Sequence, residues 1–280
     1  YRYANREDNQ PIDAVTTALP YNPFEYKRRS TNVVNNIGTG HVPVVVADYL
    51  KREAITTKDL TAIGYRYDEA TDKWNIGDAA ADYIYTGKKI LYFYLPGTLQ
   101  VICDYDTWQI AADKTKYHPL FKAGEYIGYT GDTHMLHFVS VDAGAAWDTI
   151  QLLLQKAKDS DGVVLCIESM NTHTMPSVRR LMMEVQLQNI NCPVILCVHN
   201  RDKTVDEQLI DFATNTGGLM LDGFGDGVWL WNHMQHIENM RATGRTYLEV
   251  KNNHQFLNNT AFSILQATRT RISKTEYISC

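Results

Sequence analysis

The chain has 280 residues, 44% of them hydrophobic, which is enough to bury a sizeable core in one large domain or two small ones. Its 27 basic and 32 acidic residues give a formal net charge of −5, spread along the length with no basic stripe of the kind a phosphate backbone requires, which argues against a nucleic-acid partner. No run approaches the ~18–20 continuous apolar residues of a membrane span, and the opening YRYANREDNQ has neither the basic nor the apolar region of a secretory signal. The expectation is a soluble cytoplasmic protein. Of its five cysteines, Cys103, Cys166 and Cys197 sit inside apolar runs, where a reduced thiol serves as a small hydrophobe, so a disulfide framework is not expected.

In chain order, residues 1–40 read as a connecting arm, with Pro11, Pro20 and Pro23 among asparagines and charges. HVPVVVADYL reads as a strand running into a helix, YRYDEATDKW as a hairpin turning between Asp68 and Asp72, and ILYFYLPG as a strand stopped by Pro96-Gly97. From about residue 98, apolar runs alternate with amphipathic segments: TLQVIC, MLHFVSV, VVLCI, PVILCV and GLML. Runs apolar on consecutive residues mark strands buried on both faces, the habit of parallel sheets. Between them, one helix carries Ala146, Ile150, Leu153 and Ala157 on one stripe. A second, begun near Thr174, carries Val178, Leu181, Met182 and Val185. A third opens with a capping box, Thr204 and Glu207, ahead of Val205, Leu209 and Phe212. Strict strand–helix alternation predicts a single α/β domain, a TIM-like (β/α) barrel or an incomplete parallel barrel.

Polar residues follow several predicted strands: Asp104 and Asp106, Asp142, Glu168 and Ser169, His199-Asn200-Arg201-Asp202, and Asp222. In parallel α/β folds catalytic groups are carried on this edge, although strand ends are solvated and capped in any such fold. DGFGDGV, residues 222–228, could cradle a phosphate on its backbone amides. Its lack of Lys or Arg, and the presence of Asp222 and Asp226, favour a tight turn with close backbone packing. His134 and His137 point to opposite faces of a strand and cannot share a metal, whereas His233 and His236 share a helical face but lack a third ligand. The sequence contains no G-x-S-x-G, P-loop or H-E-x-x-H.

The ending FLNNTAFSILQATRTRISKTEYISC resembles the segment leading into the iron–sulfur domain of the hydroxymethylbutenyl diphosphate synthase (GcpE/IspG) family. The matching positions are Ile264-Leu265-Gln266, Arg269, Arg271 and Lys274-Thr275-Glu276-Tyr277. GLMLDGFGDGVWL is similar to a stretch of the large, plant-like members. The resemblance implies three modules in line: a catalytic TIM barrel, a barrel-like insert and a cluster domain. It identifies residues 41–259 as the insert and 260–280 as an exit helix and linker, with the chain a piece of a longer polypeptide. For the parent it implies reductive ring opening of 2-C-methyl-D-erythritol cyclodiphosphate in the non-mevalonate isoprenoid pathway, with electrons from ferredoxin or flavodoxin through a [4Fe–4S] cluster. By the same resemblance Cys280 falls on the first cluster ligand, not competent alone, so this chain is expected to bind no cluster and to carry no catalytic residue.

Its expected role is a non-catalytic structural spacer, with the adjacent barrel and iron–sulfur domain as partners. DGFGDGV is also similar to a segment near the end of the family's catalytic barrel, which suggests a duplicated barrel that has lost its phosphate site. Two alternatives remain open. One is an independent α/β-barrel enzyme using Glu168, His199, Arg201 and Asp222 on a phosphorylated small molecule. The other is a binding module docking through Trp229 and Trp231.

Overall fold

The computed structural model describes residues 11–19, 21–22, 24–200, 204–233, 240–241 and 249–273. The chain enters the sheet at β1 (Val44–Asp48), passes a 3-10 turn (Asp59–Ile63), and makes the hairpin β2 (Tyr65–Asp68) and β3 (Lys73–Ile76). It then forms β4 (Tyr83–Gly87), β5 (Gln100–Asp104), α1 (Tyr105–Ile110), β6 (Tyr117–Lys122), α2 (Ala123–Gly128) and β7 (His137–Asp142). The longer units follow: α3 (Trp147–Lys158), β8 (Val163–Glu168), α4 (Thr174–Leu187), β9 (Val194–Asn200) and α5 (Val205–Phe212). A π turn (Ala213–Gly217) leads into α6 (Gly218–Leu221), and then come β10 (Gly227–Asn232), the short β11 (Met240–Arg241) and β12 (Glu249–Val250), and α7 (Asn253–Ala267).

β1 and β4 to β10 form a closed, eight-stranded, all-parallel barrel in the order β1-β10-β9-β8-β7-β6-β5-β4. Closure is made by β1, which pairs with β10 (Val44↔Gly227) on one side and with β4 (Val46↔Tyr83) on the other. This is the TIM-like α/β barrel that the alternation predicts.

The consecutive apolar letters of the strands have two destinations. Val44, Val46, Tyr83, Tyr85, Ile102, Phe138, Val164, Cys166, Ile195, Cys197 and Trp229 fill the barrel interior. Their sequence neighbours, such as Val45, Ile84, Val139, Leu165, Leu196 and Val228, meet the surrounding helices. The predicted helical stripes hold: Ile150, Leu153 and Ala157 of α3 and Val178, Leu181, Met182 and Val185 of α4 are buried, although Ala146 caps α3 and is exposed. The Thr204–Glu207 capping box opens α5, with Phe212 buried behind it.

Three predicted elements are corrected. VVVADYL does not run into an α-helix, because β1 ends at Asp48 in a turn and only a 3-10 segment follows. ILYFYLPG is not a strand; the strand is the preceding Tyr83–Gly87, and residues 88–99 cross the outside of the barrel with Tyr92 and Tyr94 almost fully exposed at 94% and 97%. The two stretches have the same β-forming composition, but only Tyr83–Gly87 is buried throughout. The backbone of the crossover is satisfied by side chains: Trp74 Nε1 donates to Tyr94 O and Leu91 N donates to the Tyr117 hydroxyl. GLML is helix α6, continuing α5 through the π turn, and the strand lies beyond it at Gly227–Asn232. A four-residue apolar run does not carry a period long enough to separate the two.

The arm contributes to the core. Val34 and Ile37 are buried against the interior residues at the amino edge, where Asn36 accepts from the Tyr83 hydroxyl and Asn35 donates to Gln100 Oε1. Asp226, one residue before β10, accepts from Val194 N, from Arg28 Nη2 at 3.1 Å and from Thr31 Oγ1, while Arg29 Nη2 stands 3.8 Å from its other oxygen. Arg29 and Asp226 are both buried. Replacing Asp226 with Ala is expected to cost ~3–5 kcal/mol, because a buried guanidinium loses its counter-charge; urea denaturation measures it, and a loss below about 1 kcal/mol would contradict the clamp.

Candidate functional site

The carboxyl edge of the barrel gathers most of the predicted polar positions. Asp104 ends β5, Asp142 ends β7, Glu168 ends β8 and Asn200 ends β9. Asp104 accepts a 2.7 Å hydrogen bond from the Tyr85 hydroxyl. The Tyr85 ring meets Trp229 edge-on at 4.9 Å, and Trp229 Nε1 donates to Asp48 Oδ2 at 3.0 Å. Asp104, Tyr85, Trp229 and Asp48 therefore form one continuous network across the mouth, with two large rings filling the barrel below it.

Asp48 also accepts from Leu50 N, yet desolvation by the barrel beneath outweighs these bonds and pushes its carboxyl up to about 6. Glu168 accepts from Ser140 Oγ at 3.3 Å, and burial likewise raises its pKa. Asp142 is used locally, accepting from Gly144 N. Asp106 is exposed on α1. Ser169 donates to Ser177 on α4 and accepts from Asn171 N, so it secures a loop.

On β9 and β10, His199 stacks on Trp231 with ring centroids 3.3 Å apart, and His233 lies 5.1 Å from His199. Lys51 reaches His233 Nδ1 and lies 5.4 Å from the centre of the Trp231 ring. Arg201, Asp202, His236 and Cys280 fall outside the described residues.

Two predicted positions are relocated. Asp222 is not on this edge: it follows α6 and pairs with Arg179 of α4 at 2.6 Å. DGFGDGV precedes β10 instead of following a strand, so it lies at the amino edge, opposite the carboxylate rim. Its glycines serve a tight turn, as the composition favours: Gly223 has φ +83°, and a Cβ there would stand 2.2 Å from Lys27 O. The loop does have basic partners, Arg28 and Arg29, brought from two hundred residues away in sequence where no local pattern shows them. Trp229 is buried inside the barrel and cannot dock a partner, and Trp231 is half-buried under His199.

Asp48, Tyr85 and Ser140 were not predicted. Asp48 obeys the rule that identified Asp104, a polar residue closing an apolar run, but was hidden by the expected helix. His134 is exposed and stands 3.4 Å from Asp161, whereas His137 is buried among Phe121, Tyr126 and Tyr129. His134 lies in the bend before β7, which begins at His137, so the two are separated by the end of the strand and not by its alternation.

Among the described residues no group of three or more His, Cys, Asp or Glu is placed to hold a metal ion. The four described cysteines are buried and free. Burial pushes the Cys103 thiol to about 12 and the Cys192 thiol to about 11, and raises Cys197 as well. Cys166 and Cys197 lie in the barrel interior whereas Cys103 and Cys192 lie in the outer core, so the four do not converge on one iron–sulfur cluster.

No family model matches the chain. It is 27% identical over 278 residues to the 4-hydroxy-3-methylbut-2-en-1-yl diphosphate synthase (flavodoxin) of Bacteroides fragilis, covering 99% of this chain and 38% of that protein. It is 28% identical over 275 residues to the same-named protein of Parabacteroides distasonis, covering 98% and 38%. To the chloroplastic 4-hydroxy-3-methylbut-2-en-1-yl diphosphate synthase (ferredoxin) of Arabidopsis thaliana it is 34% identical over 110 residues, 37% of this chain and 12% of that protein. The chain is a distant homologue of the two bacterial synthases over nearly its whole length. It spans about 38% of the length of the bacterial relatives.

Burial lowers His118, His137 and His254 to about 4. The unfolded chain then binds protons that the native state refuses, and stability tied to these histidines falls as pH drops from about 6.5 towards 4. The raised Asp48 and Glu168 act oppositely, since their stabilisation is present at low pH and is lost as pH rises through their folded values. Three histidines outweigh two carboxyls, so unfolding near pH 5.5 should take up protons on balance. The slope of unfolding free energy against pH measures this. The carbon resonance of the Asp48 carboxyl should titrate near 6; a midpoint near 4 would contradict its desolvation.

Proposed function

We propose that this chain is a barrel module of a hydroxymethylbutenyl diphosphate synthase-like protein and serves there as a non-catalytic spacer. In this reading the parent opens 2-C-methyl-D-erythritol cyclodiphosphate reductively, with electrons from ferredoxin or flavodoxin. The spacer fixes the relative position of an adjacent catalytic barrel and iron–sulfur domain, whose cluster Cys280 would help ligate. The whole-length homology, combined with coverage of little over a third of the relatives, supports a module reading.

The observation that carries the non-catalytic part is the character of the carboxyl edge. Where a barrel enzyme would bind a phosphorylated substrate, this one presents Asp48, Asp104, Asp142 and Glu168, two of them bonded to the aromatic rings that fill its mouth. A diphosphate placed there meets repulsion from carboxylates in a medium of reduced dielectric. The glycine-rich loop offers no substitute site, since it lies on the other edge with its arginines committed to Asp226. Such a spacer matters because misplacing two halves of an active site by about 1 Å can cost ~100-fold in rate.

Calorimetry with inorganic pyrophosphate should show no binding. Glu168→Gln in the full-length parent should leave turnover unchanged. Saturable pyrophosphate binding that Lys51→Ala abolishes, or a loss of turnover of about 100-fold in Glu168→Gln, would instead favour an enzyme acting on a phosphorylated small molecule at the carboxyl edge.

A further inference from the structure

Both chain segments flanking the barrel are fastened to the same short stretch of its amino edge. The incoming segment is held by Arg28, which donates to Asp226 Oδ1 and, through Nη1, to His41 O at 2.7 Å. Arg29 beside it donates to Ile190 O and Cys192 O, and Arg29 N donates to Gly223 O at 2.9 Å.

The outgoing segment arrives differently. Helix α7 ends in a Schellman turn: Arg269 takes the left-handed conformation (φ +57°), its N–H donates to Gln266 O, and Thr270 N donates to Leu265 O. That turn delivers Arg271, which donates through Nη1 to Asp82 Oδ2 at 2.5 Å and to Pro43 O at 3.0 Å, and through Nη2 to Asp82 Oδ1. Its guanidinium also lies 4.9 Å from the centre of the Phe262 ring. His41 O and Pro43 O, gripped by Arg28 and Arg271, are two residues or roughly 7 Å apart in extended chain.

We infer that Arg28 and Arg271 are positioning residues which staple the incoming and outgoing segments side by side at one corner of the amino edge, making that edge the face towards the rest of the polypeptide. The inference rests on the spacer reading and names the surface through which the spacer would act. The carboxyl edge then faces away from both segments, which accords with a rim whose polar groups are satisfied among themselves.

The two arginines are separable from barrel closure. Without Arg271, Asp82 still accepts from Val45 N at 2.8 Å and α7 still ends at its Schellman turn. What is lost is the side-chain tie of residues 271–273 to the seam, the segment being held otherwise by Arg271 N on Leu265 O and by Ser273 on Gln266 Oε1. Arg28 is likewise backed by the buried Arg29.

The test places nitroxide labels at Glu25→Cys and Ile272→Cys, both exposed positions, in a Cys280→Ser background, the other four thiols being buried. Pulsed electron resonance should give one narrow distance distribution. Arg271→Gln and Arg28→Gln should each broaden it about twofold, because an untied chain end is poorly ordered, while the midpoint of thermal unfolding moves by only a few degrees. Arg271→Lys, which keeps charge but not the two-pronged contact, should recover part of the narrowing.

A distribution unchanged in both glutamine variants would overturn the inference and leave the spacer reading intact. Broadening only in step with loss of the fold would also overturn it, because the arginines would then be merely structural. Failure of the spacer reading appears elsewhere, in pyrophosphate binding or in the turnover of Glu168→Gln, neither of which this distance reports.

Discussion

A parallel barrel must close on itself, and in this molecule closure falls to one strand with an aspartate on each side. β1 lies between β10 and β4, and Asp226 and Asp82 stand one residue before those neighbours. Both are used twice. Asp226 links β9 and β1 through its backbone, taking Val44 N on its carbonyl and donating to Val194 O, while its side chain accepts Val194 N. Asp82 donates to Val45 O and accepts Val45 N on its carboxylate. Each satisfies an amide that the first turn of the barrel would leave unpaired. Each also presents a negative charge to an arginine from outside the barrel, so the closure of the sheet and the path of the chain ends are decided by the same two side chains.

That arrangement divides the molecule electrostatically. At the amino edge the carboxylates are matched by Arg28, Arg29 and Arg271, and the segment around Val34 and Ile37 plugs the interior. At the carboxyl edge the carboxylates are matched mostly by neutral donors: a phenol, an indole, a hydroxyl and backbone amides. Burial destabilises the charged forms of Asp48 and Glu168 by more than these hydrogen bonds stabilise them, which is why both are raised in pKa instead of lowered. This edge occupies the place where barrels of this type carry their chemistry.

Much of the barrel was legible because strands buried on both faces leave unbroken apolar runs, and because α3, α4 and α5 carry stripes or caps long enough to fix their phase. The failures share a cause. ILYFYLPG and Tyr83–Gly87 have equivalent local preferences, and only tertiary burial chooses between them. GLML is too short to show a period, and read as a strand it puts DGFGDGV at the opposite end of the barrel from where it lies. Asp222 moved with it. The rim residues Asp104, Asp142 and Glu168 were legible because a charged letter interrupts an apolar run, whereas the partners that determine their behaviour, Tyr85 and Ser140, lie on other strands and leave no local trace.

The same limit explains why the loop looked bare of basic partners. Asp226 and Arg28 are 198 residues apart in sequence, and Asp82 and Arg271 are 189 apart. Contacts of such separation are the last that local reasoning can reach, yet they are also those a closed barrel forces, since its first and last strands must meet. Arg269 and Arg271, two of the residues on which the family resemblance rests, thereby acquire a physical role independent of it: one accepts a left-handed backbone to turn the chain, and the other ties the turned chain to the seam. A segment that looks in sequence like a linker is, for its first residues, fastened to the seam where the barrel closes.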